Sequence, residues 1–398
     1  MAISRRGLLA AGAGTAAGLA LSGTARAATT GSVGFRLDAV TLDGGEQVVS
    51  VTLDTARLAP HSVSTGTFSV HATATSPIAD PGGYDLDRPV TAARVDHRGN
   101  IVLDLGYAEG QVGGGTLGYL GSRGRNVRLD LDYTITQNAP LPTRNGPVTI
   151  PAFVQGRLAN PEVDAFSHHI SRSGLKYRLF SPPRRGRRPL IVWLHGGGEG
   201  ASLPDGYYDN ETTLRANRGA LGFATPQAQQ IFGGAYVVAP QSTSYWMADG
   251  DRFAPLIREI IAEVCARRAV DPDRIYVAGC SNGGYMSLKM TAVYRSLFAA
   301  SVPVCGVVAG DPPLIPDAEL AAIGTPTWLI ASRDDDTVDP GANSVHAHEL
   351  IPRSLLTLYD QVVWNGHRFP GHWSWIYLAR NDPAVHGTHI WQWMARRR

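Results

Sequence analysis

Between residues 32 and 136, apolar and polar side chains alternate in short runs, at 35–42, 47–53, 68–74, 90–95, 101–107 and 127–135. Gly, Asp, Asn or Pro separates each run from the next. Alternation with period two marks strands that bury one face, and this many short strands between turns predicts an antiparallel β-sandwich. A Pro-rich stretch at 138–151 reads as a connector. Beyond it the pattern changes. Tyr177-Arg178-Leu179-Phe180, Pro189-Leu190-Ile191-Val192-Trp193-Leu194, Ile275-Tyr276-Val277-Ala278 and Thr325-Pro326-Thr327-Trp328-Leu329-Ile330-Ala331-Ser332 are nearly continuous apolar runs, each ending in a Gly-rich or acidic loop. Such runs are strands buried on both faces, as in a mostly parallel sheet covered by helices. The expected organisation is a leader over 1–27, a β-sandwich with its connector over 30–165 and an α/β domain over 166–398.

The run at 275–278 leads straight into Gly279-Cys280-Ser281-Asn282-Gly283, followed by a segment without proline that suits a helix. Strand, Gly-x-Ser-x-Gly, then helix is the layout of a nucleophile elbow, in which glycines allow a turn tight enough to present a serine hydroxyl. Ser281 is the expected nucleophile; Cys280 stands beside the central position of the frame. Upstream, the strand ending at Leu194 opens into His195-Gly196-Gly197-Gly198-Glu199-Gly200. An elbow serine needs two backbone N–H groups facing the charge that forms on the substrate, and Asn282 and Gly197 are the expected pair. No Gly-Lys-Ser/Thr follows the glycines, so a phosphate cradle does not fit.

A serine nucleophile also needs a base and a carboxylate to orient it. The strand ending at Ser332 runs into Arg333-Asp334-Asp335-Asp336, and spacing alone leaves the three carboxylates equivalent. Two Gly-His pairs, Gly366-His367 and Gly371-His372, compete for the base. Trp246 and Trp373 are expected at the substrate-binding mouth, with Trp375 beside them, and the insertion at 201–234 is expected to wall the pocket.

Five separated blocks agree in order and spacing with one family: the His195 glycine loop, Val237-Val238-Ala239-Pro240-Gln241 with Trp246, 271–284, 298–306, and Gly371-His372-Trp373-Ser374-Trp375. Over roughly 170–398 the chain resembles the secreted "predicted peptidase" or polyhydroxybutyrate-depolymerase-like branch of the α/β-hydrolases, which is similar to esterases carrying an N-terminal immunoglobulin-like domain. The resemblance implies a catalytic Asp at Asp335, although Ala331-Ser332 replaces the family's His-Gly and leaves Asp334 and Asp336 open. It implies His372 as the base, while Gly366-His367-Arg368-Phe369-Pro370-Gly371 also resembles the depolymerase pattern and keeps His367 in play. It implies a carboxylic ester hydrolase acting on a small-molecule or polymeric ester, with a peptidase, a polyester depolymerase and a non-catalytic binding protein as alternatives.

Composition changes little. The chain has 398 residues, 43% of them hydrophobic, enough for two cores. A net charge of +2 gives no reason to expect a nucleic-acid partner. Lysine is confined to Lys176 and Lys289, and the arginine clusters at 184–188 and 396–398 read as solvated segments. No cofactor is expected, and no His/Cys cluster with metal-ligand spacing stands out. Ser4-Arg5-Arg6-Gly7-Leu8-Leu9, a small-residue apolar run and Ala25-Arg26-Ala27 resemble a twin-arginine export signal cleaved to leave Ala28 first, with no lasting membrane insertion. Of Cys265, Cys280 and Cys305, the second and third are the pair best placed for a disulfide, and three buried thiols is the other reading.

Overall fold

The computed structural model describes residues 28–29, 31–78, 83–183, 186–201 and 208–398. The expected leader, Arg184 and Arg185 of the first arginine cluster, and 202–207 of the insertion expected to wall the pocket lie outside the described residues.

In the N-terminal half, one sheet has five strands, in the order Phe153–Ala159, Val33–Leu42, Gly45–Leu53, Ile101–Leu105 and Val90–Val95. A second has three, Asp130–Gln137, Phe68–Thr75 and Tyr84–Arg88. Alternation along Val33–Leu42 buries Phe35, Leu37 and Ala39 and turns the residues between them outward. Phe35 and Leu37 meet Phe68, Val70 and Tyr133 of the other sheet in one core. Two expectations need correction. The run at 127–135 is broken, because Arg125–Arg128 pairs with Leu117–Leu120 as a separate hairpin while Asp130–Gln137 joins the three-stranded sheet. The Pro-rich connector is also ordered: Leu141–Thr143 and Gly146–Thr149 pair with each other, and Phe153–Ala159 then runs parallel to Val33–Leu42, so the layer is not wholly antiparallel.

The C-terminal half is built on eight strands: β1 Phe166–Ile170, β2 Lys176–Phe180, β3 Arg188–Leu194, β4 Tyr236–Pro240, β5 Val270–Cys280, β6 Ala300–Val304, β7 Trp328–Ser332 and β8 Leu355–Tyr359. Their order across the sheet is β1-β2-β4-β3-β5-β6-β7-β8, with β2 antiparallel to both its neighbours, β1 and β4, and every other pair parallel. Along β3, Ile191 and Trp193 enter one hydrophobic core while Leu190, Val192 and Leu194 enter another, so both faces of the sheet are covered. This explains the unbroken apolar run. The helix Gly250–Arg267, here α1, buries Phe253, Ala254, Ile257, Ile260, Ile261 and Val264 at three- and four-residue spacing against the second core. The helix Asn282–Val293, α2, leaves the end of β5. No helix among the described residues is long and apolar enough to cross a membrane.

Charged pairs lock the halves together. Glu46, with a fully buried side chain, takes a guanidinium from Arg215 and hydrogen bonds from Thr116 and Asn160. Arg380 grips Asp43, and Arg218 donates to Glu162 and to the Thr41 carbonyl. A buried ion pair holds only when the remaining hydrogen-bonding positions are also filled, which the Glu46 carboxylate achieves.

Candidate active site

The C-terminal ends of β3, β5 and β7 meet at one cleft, where loops of a parallel sheet ordinarily gather. At the end of β5 the chain reverses through Ser281, which adopts φ 54° and ψ −115° and directly precedes α2. A non-glycine residue there is strained, and the surroundings hold it: Ser281 N–H donates to the Val304 carbonyl at 2.8 Å, and its own carbonyl accepts from Tyr285. The reversal pushes Gly283 against β3 so closely that a Cβ would lie 2.0 Å from the Leu194 carbonyl oxygen. The glycine is therefore a spatial requirement.

His372 lies on a short turn, Gly371–Trp373, after the last strand of the sheet. A Cβ on Gly371 would sit 2.2 Å from the Asp334 carbonyl oxygen, so the histidine loop and the acidic loop are in backbone contact. That contact brings three side chains into line. His372 Nε2 is 2.9 Å from Ser281 Oγ, and His372 Nδ1 is 2.8 Å from Asp335 Oδ2. The other oxygen of Asp335 accepts from the Thr337 and Val338 N–H groups at 3.0 and 2.9 Å, which fixes the carboxylate. Its neighbours point elsewhere. Asp334 is taken by Ser332 Oγ and Arg368, and Asp336 is exposed with Thr337 as its partner. His367 sits in a two-residue strand pair and packs edge-on against Phe369, facing the Gly110 loop.

Burial pulls the His372 imidazole down, but the Cys305 sulfur and the Asp335 carboxylate outweigh it and raise the group well above its ordinary 6.5. Cys305 was not anticipated here; its sulfur lies within 4.8 Å of the donor atoms of both His372 and Asp335. These three offer metal-type ligand atoms, yet His372 is already bonded to Ser281 and Asp335, and Asp335 to His372 and the Thr337 and Val338 N–H groups. Cys280 and Cys305 are both buried free thiols and Cys265 is half-buried, so the possible 280–305 disulfide is not formed. Burial drives the Cys280 thiol well above its usual value, which keeps it protonated and unreactive.

Gly197 opens the short turn Gly197–Glu199, and Asn282 opens α2. The first N–H of a helical turn has no acceptor within that turn, which leaves both groups available for a ligand. His195 supports the loop from behind: its Nδ1 lies 2.6 Å from the Gly196 carbonyl and its Nε2 accepts from Ser242 N–H at 3.0 Å. Burial holds this imidazole down to about 4, hence neutral. Trp246 belongs to that support. It is fully buried, its ring lies 4.7 Å from that of His195, and its Nε1 donates to the His195 carbonyl, so the expected place at the cleft mouth is corrected. Trp373 does line the cleft, and Trp375 joins it. The 201–234 insertion contributes Ala216 and Asn217 to the wall, while Leu214, Leu221, Phe223 and Phe232 serve the core.

The cleft holds about 670 Å³, and much of its wall comes from the N-terminal half: Asp43, Gln47, Gln111, Tyr119 and Asn126 all face it. Asn126 donates to the Gly198 carbonyl at 3.2 Å, and Tyr245 on the other side donates to the Arg123 carbonyl at 2.7 Å. The hairpin Leu117–Leu120/Arg125–Arg128 is thus clamped over the glycine loop. No local pattern in these residues pointed to the cleft.

The family model of the prolyl oligopeptidase family matches residues 256–310, the stretch from within α1 through the elbow to the loop after β6. Among solved structures, a thermostable esterase superposes over 91% of this chain and 99% of its own length with a TM-score of 0.71, at 23% identity. The fold is that of the α/β-hydrolases. In an α/β-hydrolase the elbow is a sharp strand-to-helix turn at the top of the sheet, which is the kind of turn on which Ser281 stands. Among curated proteins, the chain is 28% identical over 209 residues to a protein named as an esterase, NocK, of Nocardia uniformis subsp. tsuyamanensis, covering 51% of this chain and 58% of that protein. It is 33% identical over 131 residues to poly(3-hydroxyalkanoate) depolymerase C of Paucimonas lemoignei, covering 30% of this chain and 28% of that one. The chain therefore spans little more than half, and about a quarter, of the curated relatives it matches.

Proposed function

We propose that this chain is an exported serine hydrolase that cleaves carboxylic esters through an acyl-enzyme. The observation that carries the reading is the unbroken hydrogen-bonded chain from Ser281 Oγ through both nitrogens of His372 to Asp335. Ser281 Oγ attacks the ester carbonyl carbon as His372 Nε2 takes its proton, and Asp335 holds the imidazolium by its Nδ1 proton. The carbonyl oxygen, now negative, is received by the N–H groups of Asn282 and Gly197. His372 returns the proton to the departing alcohol; water then enters by the same route in reverse and releases the acid. No step calls for a metal.

The relatives named for ester substrates favour an ester over an amide. The prolyl oligopeptidase match favours a peptidase as the second reading, since both reactions share the acyl-enzyme and differ in the leaving group. A panel of p-nitrophenyl acyl esters beside matched peptide anilides, with Ser281→Ala as blank, separates them. Ser281-dependent ester turnover without anilide cleavage is the expected outcome; preferential anilide cleavage would move the function to a peptidase. The N-terminal half is read as an immunoglobulin-like domain that forms part of the cleft. The leader is read as a twin-arginine signal cleaved before Ala28. Replacing Arg5→Lys together with Arg6→Lys is expected to hold the protein in the cytoplasm, measured by cell fractionation.

A further inference from the structure

The glycine loop after β3 is held by its carbonyls. That of Gly196 accepts from His195 Nδ1 at 2.6 Å, that of Gly197 from the Gly200 N–H at 3.3 Å, and that of Glu199 from Gln241 Nε2 at 3.0 Å. The Gly198 carbonyl accepts from Asn126 Nδ2 at 3.2 Å. Three of these grips come from the C-terminal half, and the last comes from the hairpin of the N-terminal half. A second contact joins the same two parts. The Tyr245 ring would meet a Cβ on Gly197 at 3.5 Å, and its hydroxyl donates to the Arg123 carbonyl at the hairpin tip.

Anchored carbonyls aim N–H groups, because the C=O and N–H of one trans peptide plane point in opposite directions. With the Gly196 carbonyl drawn back onto His195, the Gly197 N–H faces forward, and Gly197 lines the cleft. Asn126 sets the plane between Gly198 and Glu199. Its pull on the Gly198 carbonyl turns the Glu199 N–H inward, where it meets the Gly196 carbonyl at 3.4 Å and the Glu199 carboxyl. That closes the turn on which Gly197 is presented. Three consecutive glycines have no side chains to resist rotation, so a plane that loses its anchor is free to turn over. A carbonyl oxygen brought round toward the cleft would repel the oxyanion that the site has to stabilise. The hairpin is a firm anchor: Leu129 N–H donates to the Thr116 carbonyl at 3.0 Å, Thr116 N–H to the Glu46 carbonyl at 3.1 Å, and Arg128 reaches Glu211 at 2.9 Å.

We propose that Asn126 is a positioning residue of the acyl-transfer site: through the Gly198 carbonyl it holds the glycine loop in the orientation that presents the Gly197 N–H to the substrate oxygen. The N-terminal half then governs the rate of reaction as well as stability. This rests on the ester-hydrolase reading and extends it to a residue 72 positions from the loop carbonyl it holds.

Turnover and transition-state mimicry test it together. Asn126→Ala removes the donor, and Asn126→Asp keeps its shape while setting a carboxylate oxygen against the carbonyl. On p-nitrophenyl acetate each is expected to lower kcat by about tenfold or more, short of the roughly 10²–10³ that deletion of a hole donor itself costs. KM is expected to stay within about twofold, as for a group that acts only in the transition state. An aryl trifluoromethyl ketone gives the second readout: Ser281 Oγ adds to its carbonyl carbon, His372 takes the hydroxyl proton, and the resulting O⁻ occupies the hole. Its inhibition constant should rise by the factor by which kcat falls. Tyr245→Phe, which deletes only the hydroxyl bound at the hairpin tip, should move both quantities the same way by a smaller factor, and it keeps the test open if an Asn126 variant does not fold. Variants with wild-type kcat and wild-type ketone affinity would overturn the proposal and leave the hydrolase reading standing. So would a fall in kcat matched by a fall in fluorophosphonate-titratable sites, with ketone affinity unchanged in the sites that remain. A wild type inert toward ester, ketone and fluorophosphonate alike would retire the hydrolase reading and the proposal with it.

Discussion

At the scale of single residues the account stands on three side chains whose neighbours leave them no alternative geometry. Ser281→Ala is expected to lower kcat/KM by about 10⁴-fold or more with an unchanged melting temperature. His372→Ala should match it, whereas His367→Ala, at a residue that packs on Phe369, should stay within a few-fold of wild type; steady-state kinetics of the pair decides. The general base works only as neutral imidazole. Because Cys305 and Asp335 raise His372 above 6.5 against the pull of burial, kcat/KM is expected to be low on the acid side and to climb through a midpoint above 6.5. Asp335→Asn should move that midpoint down. Glu199 gives a separate pH signature. Burial pushes its carboxyl from 4.5 up to about 7, so between those values the folded chain binds more protons than the unfolded one, and stability falls as pH rises. Melting temperatures across that window should decline more in wild type than in Glu199→Gln. The sequence left Asp335 and His372 with rivals because the local patterns are nearly the same; what separates them is a contact between distant loops, Gly371 against Asp334. Ser281 had no such rival, since strand, glycine frame and helix are all local.

At the scale of elements, the elbow is held by close backbone approach. Gly283→Ala would drive a methyl group into the Leu194 carbonyl at 2.0 Å, so it is expected to cost several-fold or more in activity together with a loss of thermal stability, read by calorimetry. Strands β2, β3, β5 and β7 of the large sheet were legible because burial leaves nearly continuous apolar runs, as in β3 and β7, whereas the edge strands β1 and β8 are only partly buried and were not. Short strands such as Leu117–Leu120 and Gly146–Thr149 were not, since four residues carry too little alternation and their partners fix them. Trp246 shows a related limit: an aromatic near a glycine loop has the same sequence whether it faces the cleft or braces His195 from behind.

At the scale of the whole molecule, the N-terminal half completes the cleft. Its charges explain why: Glu46 is buried against Arg215, and Arg215→Ala would strand that carboxylate at a cost of about 3–5 kcal/mol, read as a large fall in melting temperature. Removing residues 30–165 should likewise yield an unstable C-terminal half that lacks Gln47, Tyr119 and Asn126 from its cleft. None of this joint surface was legible, because residues such as Glu46 and Arg215 are paired across 169 positions of sequence. The central claim remains that Ser281 is the activated nucleophile of an acyl-transfer site. Its most direct test is mass spectrometry of the intact protein after reaction with a fluorophosphonate ester. The account predicts one adduct, mapped to Ser281, absent in Ser281→Ala and strongly slowed in His372→Ala. An unlabelled wild-type protein, or an adduct that persists in Ser281→Ala, would contradict it.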